Sequence, residues 1–138
     1  MKDKELIIYT DGGASHNPGP AGVGVVFCDK AENIIAKYHK FLGHATNNQA
    51  EYQAVLLALL IAQKNYQPQK ISFKIDSLLV VEQLNGHYKI KDQQLKILAE
   101  KIKIICKDIL KVSFTHIPRE KNMIADKLVK KAIKERTN

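Results

Sequence analysis

Four acidic residues lie in separate settings where a carboxylate could take part in chemistry. Asp11 and Asp76 each directly follow an apolar run that predicts a β-strand. Glu51 and Asp126 each lie near the start of a helical pattern. A buried or clustered carboxylate is costly unless it is paired or binds a cation. If the four converge, they form a site for hard divalent cations such as Mg2+, which prefer oxygen ligands and can support phosphodiester hydrolysis.

Each of these acids, taken alone, also has an ordinary structural explanation. Asp11 suits a turn, and Asp76 suits the start of a helix. Glu51 and Asp126 would be favourable charges near helix amino termini. The catalytic interpretation depends on convergence: ligands bind at the carboxyl ends of strands in open α/β sheets. If the two preceding strands are parallel neighbours, Asp11 and Asp76 project side by side, and the two helical acids can lean over the same edge.

Hydrophobic patterning predicts the elements that would position these acids. The predicted strands are Leu6–Thr10, Val23–Cys28, Ile34–Phe41, Lys70–Ile75 and Val112–Ile117, with a glycine-rich loop over Asp11–Gly24. The predicted helices are Asn48–Lys64, a short helix from a Ser77 cap through Leu84, a long helix capped by Asp92, and a C-terminal helix capped by Asn122. The order βββαβααβα, beginning with an antiparallel meander, predicts a single α/β domain over 1–138, with a mixed five-stranded sheet flanked by helices.

Charge and composition restrict the partners that we expect. The formal net charge of +8 favours a polyanionic partner, nucleic acid first. Cys28 and Cys106 lie in apolar stretches without metal-type spacing, which indicates a reduced, intracellular protein. No apolar run reaches the length of a membrane span. The sequence therefore predicts a cytoplasmic protein with no membrane partner.

Four blocks of the sequence resemble the ribonuclease H family, specifically its type I enzymes. The blocks are Tyr-Thr-Asp-Gly-Gly from Tyr9 with Asn-Pro-Gly-Pro from Asn17, Thr-Asn-Asn-Gln-Ala-Glu from Thr46, Asp-Ser from Asp76, and the segment from His116 to Asp126. They occur in the family's order and span the chain from Tyr9 to about Ala132. The resemblance implies a ribonuclease H-like fold. It also implies an endoribonuclease that hydrolyses the RNA strand of RNA–DNA hybrids and leaves 5′-phosphate and 3′-hydroxyl ends.

The resemblance also implies a role for each acid. Asp11, Glu51, Asp76 and Asp126 match the family's metal-binding residues, which would hold two Mg2+ ions, with Mn2+ as a substitute. Asp11 is the best candidate to contact both ions, and Glu51 should face the RNA 2′-hydroxyl. His116 matches a mobile-loop histidine that could move protons or assist product release. The alternative for His116 is a solvated residue that ends a strand.

Uncharged amides next to the acids are suited to telling ribose from deoxyribose, because they can both donate and accept hydrogen bonds. Asn17 and the pair Asn47 and Asn48 match family positions that contact nucleic acid, and Thr46 matches one that helps to hold a DNA phosphate. The alternative is that these residues are turn and helix-cap residues. The full set of expected substrate contacts is Gly12, Asn17, Thr46, Asn47, Asn48, Gln49, Tyr88, Lys89 and Lys91.

The chain departs from the longer family members at one place. The stretch Asn85–Lys91 is too short to hold the extra basic helix and loop, called the handle, that those members carry. We therefore expect the hybrid to be held differently, with Tyr88, Lys89 and Lys91 contacting the DNA strand of a monomeric enzyme. Two other functions remain open: a non-catalytic nucleic-acid-binding domain of the same fold, and a DNA-directed nuclease of the same superfamily.

Overall fold

The structure, a computed structural model, describes residues 5–136, and its order of elements is the predicted βββαβααβα. The strands are β1 Glu5–Ala14, β2 Gly19–Cys28, β3 Ile34–Ala45, β4 Lys70–Ile75 and β5 Lys111–His116. The helices are α1 Asn47–Asn65, α2 Leu78–Leu84, α3 Gln93–Cys106 and α4 Met123–Glu135, with a 3-10 turn at Arg119–Lys121. The ends of the predicted domain, 1–4 and 137–138, lie outside the described residues.

The five strands form one mixed sheet in the order β3-β2-β1-β4-β5. The first three strands pair antiparallel, as the predicted meander requires. β1 then pairs parallel with β4, and β4 pairs parallel with β5. The predicted α/β class and five-stranded mixed sheet are therefore confirmed, and the two strands that carry acids at their carboxyl sides are parallel neighbours.

The predicted loop over Asp11–Gly24 is too long at both ends, because β1 continues to Ala14 and β2 begins at Gly19. β1 and β2 stay paired from Asp11 opposite Gly24 to Ala14 opposite Ala21, so only residues 15–18 connect them. Glycine in this stretch serves packing, since a Cβ on Gly24 would lie 2.3 Å from the carbonyl oxygen of Ala125 on α4. The helix can therefore lie directly on the sheet. Glycines of this kind are predicted as turn residues from the sequence, because the neighbouring residues do not show that a helix packs against the glycine backbone.

Helices cover both faces of the sheet. The larger core packs α1, α2 and α3 against β1, β2 and β4 and includes the fully buried rings of Phe27, Tyr52 and Phe73. On the other face, Ala125 of α4 packs against Val26 and Cys28 of β2. Burying each large apolar side chain contributes roughly 1.5–3 kcal/mol, so this packing fixes the helices that carry two of the acids. No helix within residues 5–136 is long and apolar enough to cross a membrane.

The helix caps agree with prediction at two starts and differ at two. The side chains of Ser77 and Asp92 cap α2 and α3 as expected. α1 is capped by Thr46, which forms a capping box with Gln49, so neither Asn47 nor Asn48 is the cap. Asn122 occupies the cap position of α4, but its side chain makes no capping hydrogen bond. That side chain is used in the acidic site instead.

Candidate metal-binding active site

The parallel pairing of β1 and β4 brings Asp11 and Asp76 together. The pairing ends with Thr10 opposite Ile75, and the next residue on each strand is one of the two acids. Asp11 itself still pairs with β2, so it lies within a strand and not in the predicted turn. The strand pairing sets the backbone position of Asp11, a residue that is only 8% exposed.

Glu51 reaches the same point because α1 lies unusually close to β1. A Cβ on Gly12 would lie 2.2 Å from the backbone carbon and oxygen of Ala50, so only glycine permits this approach. The Gly12 backbone N–H donates to Asp11 Oδ1 and to Glu51 Oε1, at 3.0 Å each. One backbone donor therefore links two buried carboxylates. The predicted contact of Gly12 with substrate stays a prediction.

Carboxylate oxygens of Asp11, Glu51 and Asp76 lie within 4.8 Å of one another, which is close enough to share a cation. Burial, followed by the charges of Asp76 and Asp126, raises the pKa of Asp11 from 3.8 to about 8. Burial and the Asp11 charge raise the pKa of Glu51 well above its ordinary value. The fold thus holds Asp11 and Glu51 where burial and neighbouring acids disfavour their charged forms. A hard divalent cation with oxygen ligands fits this donor set.

Asp126 lies in the first turn of α4, beside this group but not part of it. It lines the same cavity, and a side-chain hydrogen bond with it raises the pKa of Asp11. Its carboxylate is 3.2 Å from the ammonium of Lys130, one helical turn later. Three of the four predicted acids therefore form the tight cluster, and the fourth borders it while paired with a lysine.

Asn122 is a site residue that the sequence analysis interpreted only as a helix cap. It is 2% exposed, and its Nδ2 donates to the Thr10 carbonyl at 2.8 Å and to Asp76 Oδ2 at 3.3 Å. The side chain thereby ties α4 to β1 and positions Asp76. Its location within the matched block from His116 to Asp126 was the available signal, although the cap pattern favoured the simpler role.

A cavity of about 720 Å³ opens beside the acids. Three basic residues, none of them predicted from the sequence, line the same cavity: Arg119, Lys130 and Lys134. The Arg119 charge lowers the pKa of Asp76, against the larger effect of burial, which raises it. A phosphate group entering the cavity would therefore meet both cationic side chains and the acidic cluster.

Two of the predicted amide residues, Asn17 and Asn47, are hydrogen-bonded to each other, and Asn47 lines the cavity. Asn47 Oδ1 accepts from the Ala14 N–H at 2.8 Å, and the Asn47 N–H donates to Asn17 Oδ1 at 2.9 Å. Asn48 is exposed one residue further along α1. These contacts connect Asn17 through Asn47 to the cavity that the acids line, and contact of these residues with nucleic acid stays a prediction.

Eight of the predicted residues do not line this cavity: Asn17, Thr46, Asn48, Gln49, Tyr88, Lys89, Lys91 and His116. His116 is exposed at the end of β5, opposite Ile75 and therefore at the same edge of the sheet as Asp76. Tyr88, Lys89 and Lys91 are exposed in the connection between α2 and α3. Their predicted roles in proton transfer and DNA contact stay predictions.

Comparison with known proteins agrees with this geometry. The reverse transcriptase-like family model matches residues 9–132. A ribonuclease HI of Halobacterium salinarum is 38% identical over 125 residues, which cover 91% of this chain and 62% of that protein. A bifunctional protein of Mycobacterium tuberculosis is 34% identical over 130 residues, which cover 94% of this chain and 35% of that protein. The chain thus spans between about a third and two thirds of these relatives.

Two solved structures match this chain over almost the full length of both chains. The crystal structure of the Halobacterium ribonuclease H1 superposes with a TM-score of 0.89 at 35% identity and covers 95% of this chain and 98% of that one. LC11-RNase H1 in complex with an RNA/DNA hybrid also gives 0.89, at 41% identity and with the same coverage. A mixed five-stranded sheet of this order, with acids at the carboxyl edge of its central strands, defines the ribonuclease H-like class. The chain belongs to the ribonuclease H type I family.

Proposed function

We propose that the chain is an endoribonuclease that hydrolyses the RNA strand of RNA–DNA hybrids with two divalent metal ions, Mg2+ first and Mn2+ as a substitute. The observation that carries this proposal is the group of three carboxylates within 4.8 Å of one another, in a member of the ribonuclease H type I family. The products would carry 5′-phosphate and 3′-hydroxyl ends.

The donor set indicates which residues would hold the ions. Asp11 shares the Gly12 N–H with Glu51, and the nearby charge of Asp76 adds to burial in raising its pKa. Asp11 is therefore the candidate to contact both ions, with Asp126 completing the set from α4. Bound divalent ions would supply Lewis acidity that activates water and offsets charge on the leaving 3′-oxygen. Burial first, and neighbouring acids second, raise the pKa values of Asp11, Glu51 and Asp76, and this supports the assignment because a bound cation would stabilise the charged carboxylates.

The protein's own groups would bind and orient the RNA. Arg119 and Lys134 would attract the phosphates on either side of the scissile bond, because opposite charge at a phosphate lowers its energy in a partly closed cavity. The Gly12 N–H and the Asn122 amide would hold the carboxylates in fixed orientations. His116, at the same sheet edge, would move a proton or help the product to leave.

The choice of a hybrid substrate rests on two amide residues and on a relative. Asn47 lines the cavity with the acids and is hydrogen-bonded to Asn17, and both residues carry amide groups that can read a 2′-hydroxyl. LC11-RNase H1, the relative at 41% identity, was crystallised with an RNA/DNA hybrid. A net charge of +8 would add affinity for either strand without selecting between them. Monomeric state and cytoplasmic location stay predictions from the sequence.

A cleavage assay tests the proposal. End-labelled RNA–DNA hybrid, double-stranded RNA and double-stranded DNA would be incubated with the protein in Mg2+, in Mn2+ and in chelator. We expect metal-dependent cleavage of the hybrid's RNA strand, and mapping of the fragment ends should show 3′-hydroxyls. Salt-sensitive binding of the hybrid without cleavage would instead identify a non-catalytic binding domain, and cleavage of DNA alone would identify a DNA-directed nuclease.

A further inference from the structure

A second pair of amides connects the start of α3 to the start of α1. The side-chain Nε2 of Gln49 donates to Oε1 of Gln94, the second residue of α3. Gln94 comes this close because α3 packs against α1 in the larger core, where Leu95 and Leu98 of α3 join the buried side chains of α1. The start of α3 therefore lies beside the capping box of α1.

Gln49 also forms the capping box with Thr46, and we call residues 46–49 the α1 cap. Its Oε1 accepts from the Thr46 N–H at 2.9 Å, while its own N–H donates to Thr46 Oγ1 at 3.1 Å. An amide side chain has one accepting end and one donating end, and the two look alike in shape. The Thr46 N–H can only donate, so it sets the orientation in which Gln49 Oε1 accepts, and Gln94 holds the side chain in that orientation by accepting from its donating end.

The α1 cap in turn connects to the rim of the acidic site. Asn47, inside the cap, is held by Asn17 and by the N–H of Ala14 at the end of β1. A rotation of the Gln49 amide would leave two donors facing each other at Thr46 and would loosen the residue next to Asn47. Gln94 is exposed, and its hydrogen bond to Gln49 connects it to the acidic site only through the cap.

We propose that Gln94 is a positioning residue for substrate binding: by accepting from Gln49 it fixes the α1 cap in the orientation that presents Asn47 and Thr46 to the hybrid. This inference rests on the proposed function for its substrate. The metal cluster itself should be unaffected, since its carboxylates are oriented by Gly12 and Asn122.

Two substitutions separate positioning from general structure. Gln94→Met keeps the length of the side chain and removes the accepting oxygen. Gln94→Glu keeps an acceptor and cannot present a donor, so it should restore the Gln49 orientation. Gln93, the preceding exposed residue, supplies matched controls as Gln93→Met and Gln93→Glu, the latter for the added negative charge.

Steady-state cleavage of a hybrid should show a higher KM for Gln94→Met by about threefold to tenfold, the factor that corresponds to one net hydrogen bond of roughly 0.5–1.5 kcal/mol. We expect kcat to stay within about twofold, because a lost ground-state contact changes KM first. Gln94→Glu should match Gln93→Glu. An unchanged KM in Gln94→Met, or the same rise in Gln93→Met, would overturn the inference.

Hydrogen exchange of the Thr46 amide gives a readout that needs no activity. Exchange at this amide should accelerate in Gln94→Met and stay at the wild-type rate in Gln94→Glu and Gln93→Met. Unchanged exchange in Gln94→Met would refute the positioning role by itself. If the wild-type protein neither cleaves a hybrid nor binds it in an anisotropy titration, the proposed function fails, and the role of Gln94 in binding substrate fails with it.

Discussion

Replacing Asp11 by asparagine should stabilise the metal-free protein at pH 8, although the same change should abolish cleavage. Burial, together with the charges of Asp76 and Asp126, raises the Asp11 pKa from 3.8 to about 8. A carboxyl group with a raised folded-state pKa costs nothing below its unfolded pKa, and its cost grows as the pH rises to the folded value. The amide keeps the shape of the side chain and an oxygen to accept the Gly12 N–H, and it removes the charge.

The size of the gain follows from the same pKa values. The gap between 3.8 and about 8 corresponds, at about 1.4 kcal/mol per pH unit, to an upper limit of about 6 kcal/mol. Part of this cost is shared with Glu51 and Asp76, which repel the same charge. We therefore expect Asp11→Asn to raise the free energy of unfolding by about 2–4 kcal/mol at pH 8, and by less than about 2 kcal/mol at pH 5.

Urea denaturation in chelator at pH 5 and pH 8 measures this difference. Asp108→Asn, which neutralises an exposed acid after α3, is the matched control and should change stability by less than about 0.5 kcal/mol at either pH. Added Mg2+ at pH 8 should raise the stability of the wild type and leave Asp11→Asn almost unchanged. A metal-free Asp11→Asn protein that is no more stable than the wild type at pH 8 would show that the acids do not repel one another as described.

Two further substitutions test how the site is built. Gly12→Ala places a Cβ 2.2 Å from the backbone of Ala50, so it should lower the free energy of unfolding by about 3 kcal/mol or more in urea. Gly13→Ala, whose nearest neighbour would be a side-chain atom at 3.6 Å, is the control, and equal losses would refute the close approach of α1. Asn122→Leu leaves the buried Thr10 carbonyl without its donor and should cost about 1–3 kcal/mol; a neutral result would show that this hydrogen bond does not hold α4.

The sequence predicts the order and type of every element because each one carries a strong local pattern. β4 has the predicted bounds, and α2 starts after its predicted Ser77 cap and ends at Leu84. The boundaries that differ are those decided by contacts between distant residues. The glycines of β1 and β2 resemble a loop in the sequence, and only the packing of α4 against Gly24 shows why strands are glycine-rich here.

The acidic site is predictable for a related reason. Asp11, Glu51 and Asp76 lie at positions that the topology brings together once β1 and β4 are parallel neighbours. The supporting residues could not be assigned in the same way. Asn122 has the sequence pattern of a helix cap but uses its side chain across the fold to hold Thr10 and Asp76. Long-range hydrogen bonds of this kind leave no periodic signal in a sequence.

Cleavage of a labelled RNA–DNA hybrid by the wild type and by Asp11→Asn, in Mg2+ and in chelator, is the most direct test of the central claim. The wild type should cut the RNA strand only when metal is present, and Asp108→Asn should do the same. Asp11→Asn should remain folded by circular dichroism and lose cleavage by a factor of about 1,000 or more, because several kcal/mol of transition-state stabilisation depend on the ions it holds. Near-wild-type cleavage by folded Asp11→Asn, or cleavage that persists in chelator, would contradict the assignment of the acidic cluster as the metal-binding active site.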